Sequence, residues 1–143
     1  MKVNKVFIAS DHAGFTLKES IKKFLIRRKK KVLDLGPNSN NSVDYPDYAH
    51  LLSRKIKNNN REIGILVCGS GIGMDMTANK HKNIRAALCY NALSTKLSRQ
   101  HNNANVMAIG ARLTKKNVAL KCVNIFINTK FKAGRHKRRV KKI

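Results

Sequence analysis

The sequence predicts an α/β fold of three layers, a five-stranded parallel sheet lying between two layers of helices. Three observations predict it. Brief, almost wholly apolar runs recur along the chain, stripes at helical spacing fill the intervals, and polar or glycine-rich segments close several of the runs. Right-handed crossovers then line those closing segments along one edge of the sheet, where ligands of such sheets bind.

The first strand is expected over residues 5–10, since Val6-Phe7-Ile8-Ala9 is apolar on both faces. Asp11-His12-Ala13-Gly14 then turns the chain into a helix near residues 16–30, with Leu17, Ile21, Phe24 and Leu25 in one buried stripe. Thr16 and Glu19 have the spacing of a capping box with Thr16 as N-cap. A short second strand over 32–35 stops at Gly36-Pro37. Pro46 opens the next helix, which carries Ala49, Leu52 and Ile56 and fades at Asn58-Asn59-Asn60.

The third strand, Ile63-Gly64-Ile65-Leu66-Val67, places Cys68 at its carboxyl end, before the turn Gly69-Ser70-Gly71-Ile72-Gly73 and a helix running to about His81. A fourth strand over 85–90 contains Cys89, and the helix over 91–100 has Leu93 and Leu97 on one side. A fifth strand covers 106–109. Thr114 is the expected cap of a helix reaching about Asn128, with Val118, Ala119, Cys122, Val123 and Phe126 at helical spacing. Residues 135–143 read either as a short basic helix or as a solvated tail, and the 143 residues suit a single domain.

Composition narrows the function classes. No run of 18 apolar residues is available to span a bilayer, and the first apolar run is too brief for a secretory signal, so a cytoplasmic enzyme is expected. Cys68, Cys89 and Cys122 are far apart and form no Cys-x-x-Cys pair, which argues against a disulfide framework or a zinc site; Cys89 and Cys122 read as core. The net charge of +24 ordinarily suggests nucleic acid. Here lysines are spread along the chain, only 27–31 and 135–142 concentrate charge, and neither segment interleaves aromatics for base stacking. A nucleic-acid partner is therefore disfavoured, whereas a phosphorylated metabolite would be drawn in by the field.

A cysteine at a strand end before a glycine turn is either a chemical thiol or a buried small hydrophobe. Backbone N–H groups left by the turn would attract an anion and favour the thiolate. The turn lacks a glycine at position 74 and any Gly-Lys-Ser/Thr, so the nucleotide-binding patterns fit poorly. Asp11-His12 can position hydroxyls and exchange protons, and Arg112, Arg135 and Arg139 can clamp a phosphate, the last two at i, i+4. His101-Asn102 is a further acid-base candidate, with a plain surface histidine as the alternative. No His/Asp/Glu cluster has convincing metal spacing. Together these parts describe cofactor-free, metal-free isomerisation of a phosphorylated sugar.

Ser10-Asp11-His12-Ala13-Gly14, Asp44-Tyr45-Pro46, Cys68-Gly69-Ser70-Gly71-Ile72-Gly73, Ala78-Asn79-Lys80, Arg85-Ala86, Leu97-Ser98-Arg99-Gln100-His101-Asn102 and Gly134-Arg135-His136 resemble the type B ribose-5-phosphate isomerase family over nearly the whole chain. The resemblance implies a Rossmann-like sheet of strand order 2-1-3-5-4 and a homodimer, or dimer of dimers, with active sites built across the subunit contact. The reaction it implies interconverts D-ribose 5-phosphate and D-ribulose 5-phosphate in the pentose phosphate pathway. Carried over by position, Cys68 is the C2 base, Ser70 with the amides of Gly69, Gly71, Ile72 and Gly73 cradles the enediolate, and His101 opens the ring with Asp11 assisting. Asn102 and Tyr45 hold the substrate, and His12, Arg112, Arg135 and Arg139 take the phosphate side. Position 74, a glutamate base in some members, is Met74 here, which places this chain with the thiol users. The following Asp75 departs from the family pattern and reads as a solvated charge at a helix start, or, turned inward, as a brake on the thiol. A sister isomerase acting on galactose 6-phosphate or allose 6-phosphate is the near alternative, and a basic nucleic-acid-binding protein the distant one.

Overall fold

The computed structural model describes residues 2–57, 59 and 61–143. In chain order the elements are β1 (Lys5–Ser10), α1 (Phe15–Arg27), β2 (Lys31–Asp34), α2 (Tyr45–Lys55), β3 (Glu62–Cys68), α3 (Ile72–Ala78), β4 (Ala86–Leu88), α4 (Ala92–Asn102), β5 (Val106–Gly110), α5 (Lys116–Asn128) and α6 (Gly134–Val140). All strand pairs are parallel and the order is β2-β1-β3-β5-β4.

Strand alternation divides the core into two. Val6, Ile8, Ile63, Ile65, Val67, Met107 and Ile109 pack with Leu17, Ile21 and Leu25 of α1 and with Ala119, Cys122, Val123 and Phe126 of α5. Phe7, Ala9, Leu66, Cys68, Val106 and Ala108 face the other way, onto Ala49 and Leu52 of α2 and Met74 and Ala78 of α3. The central strands are buried on both faces, which is why they read as unbroken apolar runs. Cys122 and Cys89 are both buried in the first of these cores.

Several local expectations are corrected. Thr16 is not an N-cap: α1 begins at Phe15 after Gly14, and the amide of Gly14 donates to Asp11 Oδ1 at 2.9 Å, so Asp11 closes the turn. Glu19 is occupied instead by Lys18 and Lys22 at 3.0 Å each. Thr114 does not cap α5, whose N-cap is Lys115 without a side-chain bond. β4 covers three residues and Cys89 lies just past it. On α4 the buried face is Thr95, Ser98 and Arg99, while Leu93 is 67% exposed, because these polar groups find partners: Thr95 Oγ1 donates to the Asn91 carbonyl at 2.7 Å, Ser98 Oγ to that of Thr95 at 2.8 Å, and Arg99 to those of Ala104 and Thr129. The Asn91 side chain accepts from the Ser94 amide at 2.8 Å, a cap worth about 1 kcal/mol. α2 ends at Lys55; of the expected fade at Asn58-Asn59-Asn60, Asn58 and Asn60 lie outside the described residues. The basic C-terminal segment is helical over α6.

Candidate active site

Three loops meet where β1, β3 and β5 end, and backbone hydrogen bonds lock them together. The Asp11 amide donates to the Val67 carbonyl at 3.1 Å, that of Ala111 to Cys68 at 2.8 Å, and that of Arg112 to Gly69 at 3.0 Å. Gly71 has φ +79°, and a β-carbon there would lie 2.7 Å from Leu88 and 2.9 Å from the Gly110 nitrogen. Only glycine lets this loop lie so close to the next strand end.

Cys68 closes β3 and is 4% exposed, in the α2/α3 core. Its sulfur is nonetheless turned to the loop, since Sγ accepts the Gly71 N–H at 3.1 Å. An N–H pointed at sulfur stabilises negative charge there. Ser70 Oγ accepts the Ile72 amide at 3.2 Å and keeps its own proton to donate. The ring of Tyr45, at the first residue of α2, packs over Gly73, where a β-carbon would fall 2.5 Å from it. The guanidinium of Arg112 lies over Gly69 in the same way.

Asp11 is 6% exposed, with Oδ1 committed to the Gly14 amide. His12 Nδ1 accepts the Val43 amide at 3.2 Å; an amide can only donate, so in the neutral ring the proton sits on Nε2, which becomes a donor. Behind these groups the ammonium of Lys18, fully buried, donates to both oxygens of Asp34 at 2.8 and 2.7 Å. Burial pushes the Asp34 carboxyl up, and hydrogen bonds from Lys18, Lys22 and the Gly36 amide outweigh it, leaving it below its ordinary value. The Gly36 carbonyl then accepts the Ser10 amide at 3.1 Å, tying this ion cluster to the residue before Asp11. The sequence reading missed Lys18 and Asp34, whose pairing joins a helix to a strand 16 residues on.

The structure therefore brings together Asp11, His12, Tyr45, Cys68, Gly69, Ser70, Gly71, Ile72, Gly73 and Arg112. It does not bring His101, Asn102, Arg135 or Arg139 to them. α4 starts beside the carboxyl end of β4 and runs back, so His101 and Asn102 finish near the start of β5, at the opposite edge of the sheet. There His101 stacks on His136 of α6, with centroids 4.1 Å apart and planes at 11°. A cavity of about 330 Å³ is lined by His101, Asn102, His136, Arg139, Val140 and Ile143. Arg135 stands one turn before Arg139 on α6. Partial desolvation, then the charges of His101, Arg135, Arg139 and Lys132, push the His136 pKa down. His136 was not among the expected site residues; its place in the Gly134-Arg135-His136 motif, next to Arg135 and one turn before Arg139, was the available signal.

Asp75 corrects its expectation as a solvated charge. It is half-buried, Oδ1 is buried without a hydrogen-bond partner among the described residues, and burial raises its pKa. Its charge is felt at Cys89, whose thiol is pushed up to about 11, chiefly by burial. No group of three or more His, Cys, Asp or Glu among the described residues is arranged to hold a metal, and no helix among them is long and apolar enough to cross a membrane.

Sequence and structure comparisons agree with this fold. The ribose/galactose isomerase family profile matches residues 6–143. A probable ribose-5-phosphate isomerase B of Mycoplasma genitalium is 44% identical over 140 residues, covering 96% of this chain and 92% of that protein. Ribose-5-phosphate isomerase B of Escherichia coli is 38% identical over 141 residues, covering 99% and 95%. Among solved structures, ribose 5-phosphate isomerase B of Anaplasma phagocytophilum superposes with a TM-score of 0.95 at 44% identity, covering 99% and 97% of the two chains. The M. genitalium enzyme with bound ribulose-5-phosphate gives 0.94 at 42% identity, covering 99% and 95%. With its sheet order, its thiol-bearing glycine loop and these matches over almost its full length, the chain belongs to the ribose/galactose isomerase family.

Proposed function

We propose that this protein interconverts D-ribose 5-phosphate and D-ribulose 5-phosphate, with Cys68 as the base at carbon. The observation that carries the mechanism is the Gly71 N–H on Cys68 Sγ, at a strand end already furnished with a hydroxyl, an Asp-His pair and an arginine. The likeness to a relative solved with ribulose-5-phosphate supports the substrate.

In the open-chain aldose, the Cys68 thiolate takes the C2 proton and the electron pair moves toward C1 and its oxygen, giving an enediolate. Amides of the 69–73 turn and the Ser70 hydroxyl hold the oxyanion. The thiol returns its proton to C1 while the hydroxyl proton passes from O2 to O1, so the ketose forms with no net change in atoms or charge. Ring opening needs a proton delivered to the ring oxygen and one removed from the C1 hydroxyl; His101 and Asp11 take these roles. His12 Nε2–H, Arg112, Arg135 and Arg139 bind the phosphate, while Tyr45 and Asn102 flank the sugar. Because His101, Asn102, Arg135 and Arg139 lie at the other edge of the sheet, they come from a second copy of the chain, making a homodimer the smallest active unit.

The test is ribose 5-phosphate isomerisation by wild type and Cys68→Ala with chelator present. Wild type should stay active and the variant should lose about 10³-fold in kcat, the scale of one acid-base group. Loss of wild-type activity to chelator overturns the metal-free route, and faster turnover of galactose 6-phosphate or allose 6-phosphate overturns the substrate.

A further inference from the structure

We infer that the amino-terminal edge of the sheet carries a second anion site, distinct from the active site, that binds an oligophosphate chain. A cavity of about 550 Å³ opens there, lined by Lys2, Val3, Asn4, Arg28, Lys29, Lys30 and Arg61. Five of these seven residues are cationic and none is a carboxylate. Its size falls in the range of small-ligand sites. The nearby Glu62 is engaged by Lys5 at 3.1 Å.

The cations are placed rather than merely crowded. Arg28 lies 3.7 Å over the Phe24 ring, with Nε donating to Asn124 Oδ1 at 3.3 Å. The Lys30 ammonium donates to the Val3 carbonyl at 2.7 Å. Two bonds close the end of α1: the Lys30 amide donates to the Leu25 carbonyl at 3.1 Å and that of Lys29 to Ile26 at 2.8 Å. These form a Schellman turn, whose left-handed position, usually glycine, is held here by Lys29 at φ +57°. A side chain at that position costs about 1 kcal/mol relative to glycine, and here it adds a charge to the cavity. Favourable placement at the carboxyl end of α1 explains Arg28 and Lys29. It does not explain Lys2 or Arg61, which converge from other segments. Burial, then the charge of Lys2, push the Lys30 pKa down, a cost that a bound anion would relieve.

Two features select the ligand. Among the described residues that line the cavity none is aromatic, so no ring is presented to stack a base, and closely spaced cations suit successive phosphates. The site is also separate from both halves of the proposed active site: Cys68 lies six steps along β3 from Glu62, about 20 Å at the rise of a strand, and the cavity shares no lining residue with the one at His101 on the same edge of the sheet.

Calorimetric titration of the full chain with inorganic tripolyphosphate tests this, at low salt and with saturating ribose 5-phosphate to fill the catalytic phosphate positions. One site per chain is expected, weakening as salt rises. Lys29→Gly should fold at least as well as wild type yet bind more weakly. Lys29→Glu with Lys30→Glu should bind about tenfold or more weakly with unchanged isomerase activity, while Lys141→Glu with Lys142→Glu should retain affinity. ATP should match tripolyphosphate; tighter binding of ATP shows that the nucleoside is held and overturns the chain-only reading. Absence of binding, competition by ribose 5-phosphate, or indifference to the Lys29 and Lys30 changes overturns the site. A single-stranded oligonucleotide that binds through these lysines more tightly than tripolyphosphate overturns the small-ligand assignment.

Discussion

The two halves of the proposed active site are built in opposite ways. Around Cys68 the functional side chains stand at a strand end, in the turns directly after β1, β3 and β5, or on the first residue of α2, and these loops are bonded to one another through main-chain groups. Around His101 the side chains stand on the last turn of α4 and on α6, a seven-residue helix with no buried residue and no side-chain cap, joined by a ring stack and one Lys132-to-Gln100 hydrogen bond of 3.0 Å. The first half is rigid within one chain, as a site that must hold an oxyanion requires. The second is a surface patch, and in the proposed mechanism it completes a site only against a second copy of the chain.

That contrast breaks first on a mixing experiment. Cys68→Ala and His101→Ala should each be nearly inactive, the former by about 10³-fold. Co-expressed, they should regain about a quarter of wild-type activity, because random pairing makes half the dimers mixed and each mixed dimer has one intact site. No recovery would place both residues in one chain's site and remove the split.

The rigid half should be intolerant of a single methyl group. Gly71→Ala forces a β-carbon against Leu88 and Gly110 at a positive φ, so a loss of about 2–4 kcal/mol is expected, measured by urea unfolding, with kcat falling alongside. On the surface half, Arg139→Ala should leave the unfolding midpoint within error and raise KM about tenfold, the value of one charge-assisted phosphate contact. If Arg139→Ala unfolds the protein and Gly71→Ala does not, the assignment of rigidity is reversed.

The strand-end half was legible because its signals are local: an apolar run, a thiol and glycines in order over residues 63–73. The sheet order, inferred from family resemblance, also holds. What failed depends on partners distant in sequence. The polar face of α4 is buried because the carbonyls of Ala104 and Thr129 await Arg99, and no stripe of leucines reveals that. Thr16 and Thr114 have the right composition for caps, but Gly14 and Lys115 occupy the positions, since the turns before them are set by contacts with β3 and β5. Asp75 is the sharpest miss: its neighbours at Cys89 come from another strand end, so sequence could not show that one oxygen is shut from water.

The smallest expected effect lies in a second histidine pair, in the α2–α3 layer behind the first half. His50 of α2 and His81, just after α3, share one proton between Nδ1 and Nε2 at 2.7 Å, whereas His101 and His136 meet face to face. Desolvation, then the charges of His50 and Arg54, push the His81 pKa below its ordinary value. Below about pH 6.5 the unfolded chain therefore binds more protons than the folded one, so stability falls as pH drops, by at most about 1.4 kcal/mol per pH unit for one proton. Urea unfolding at pH 5.5 and 7.5 should show that loss in wild type and a smaller one in His81→Gln. His136 shifts the same way, so some dependence should survive in the variant and shrink further in His81→Gln with His136→Gln. An identical pH slope in wild type and His81→Gln would mean that the α2–α3 layer holds without regard to the charge on this pair, and that the rigid half owes nothing to it.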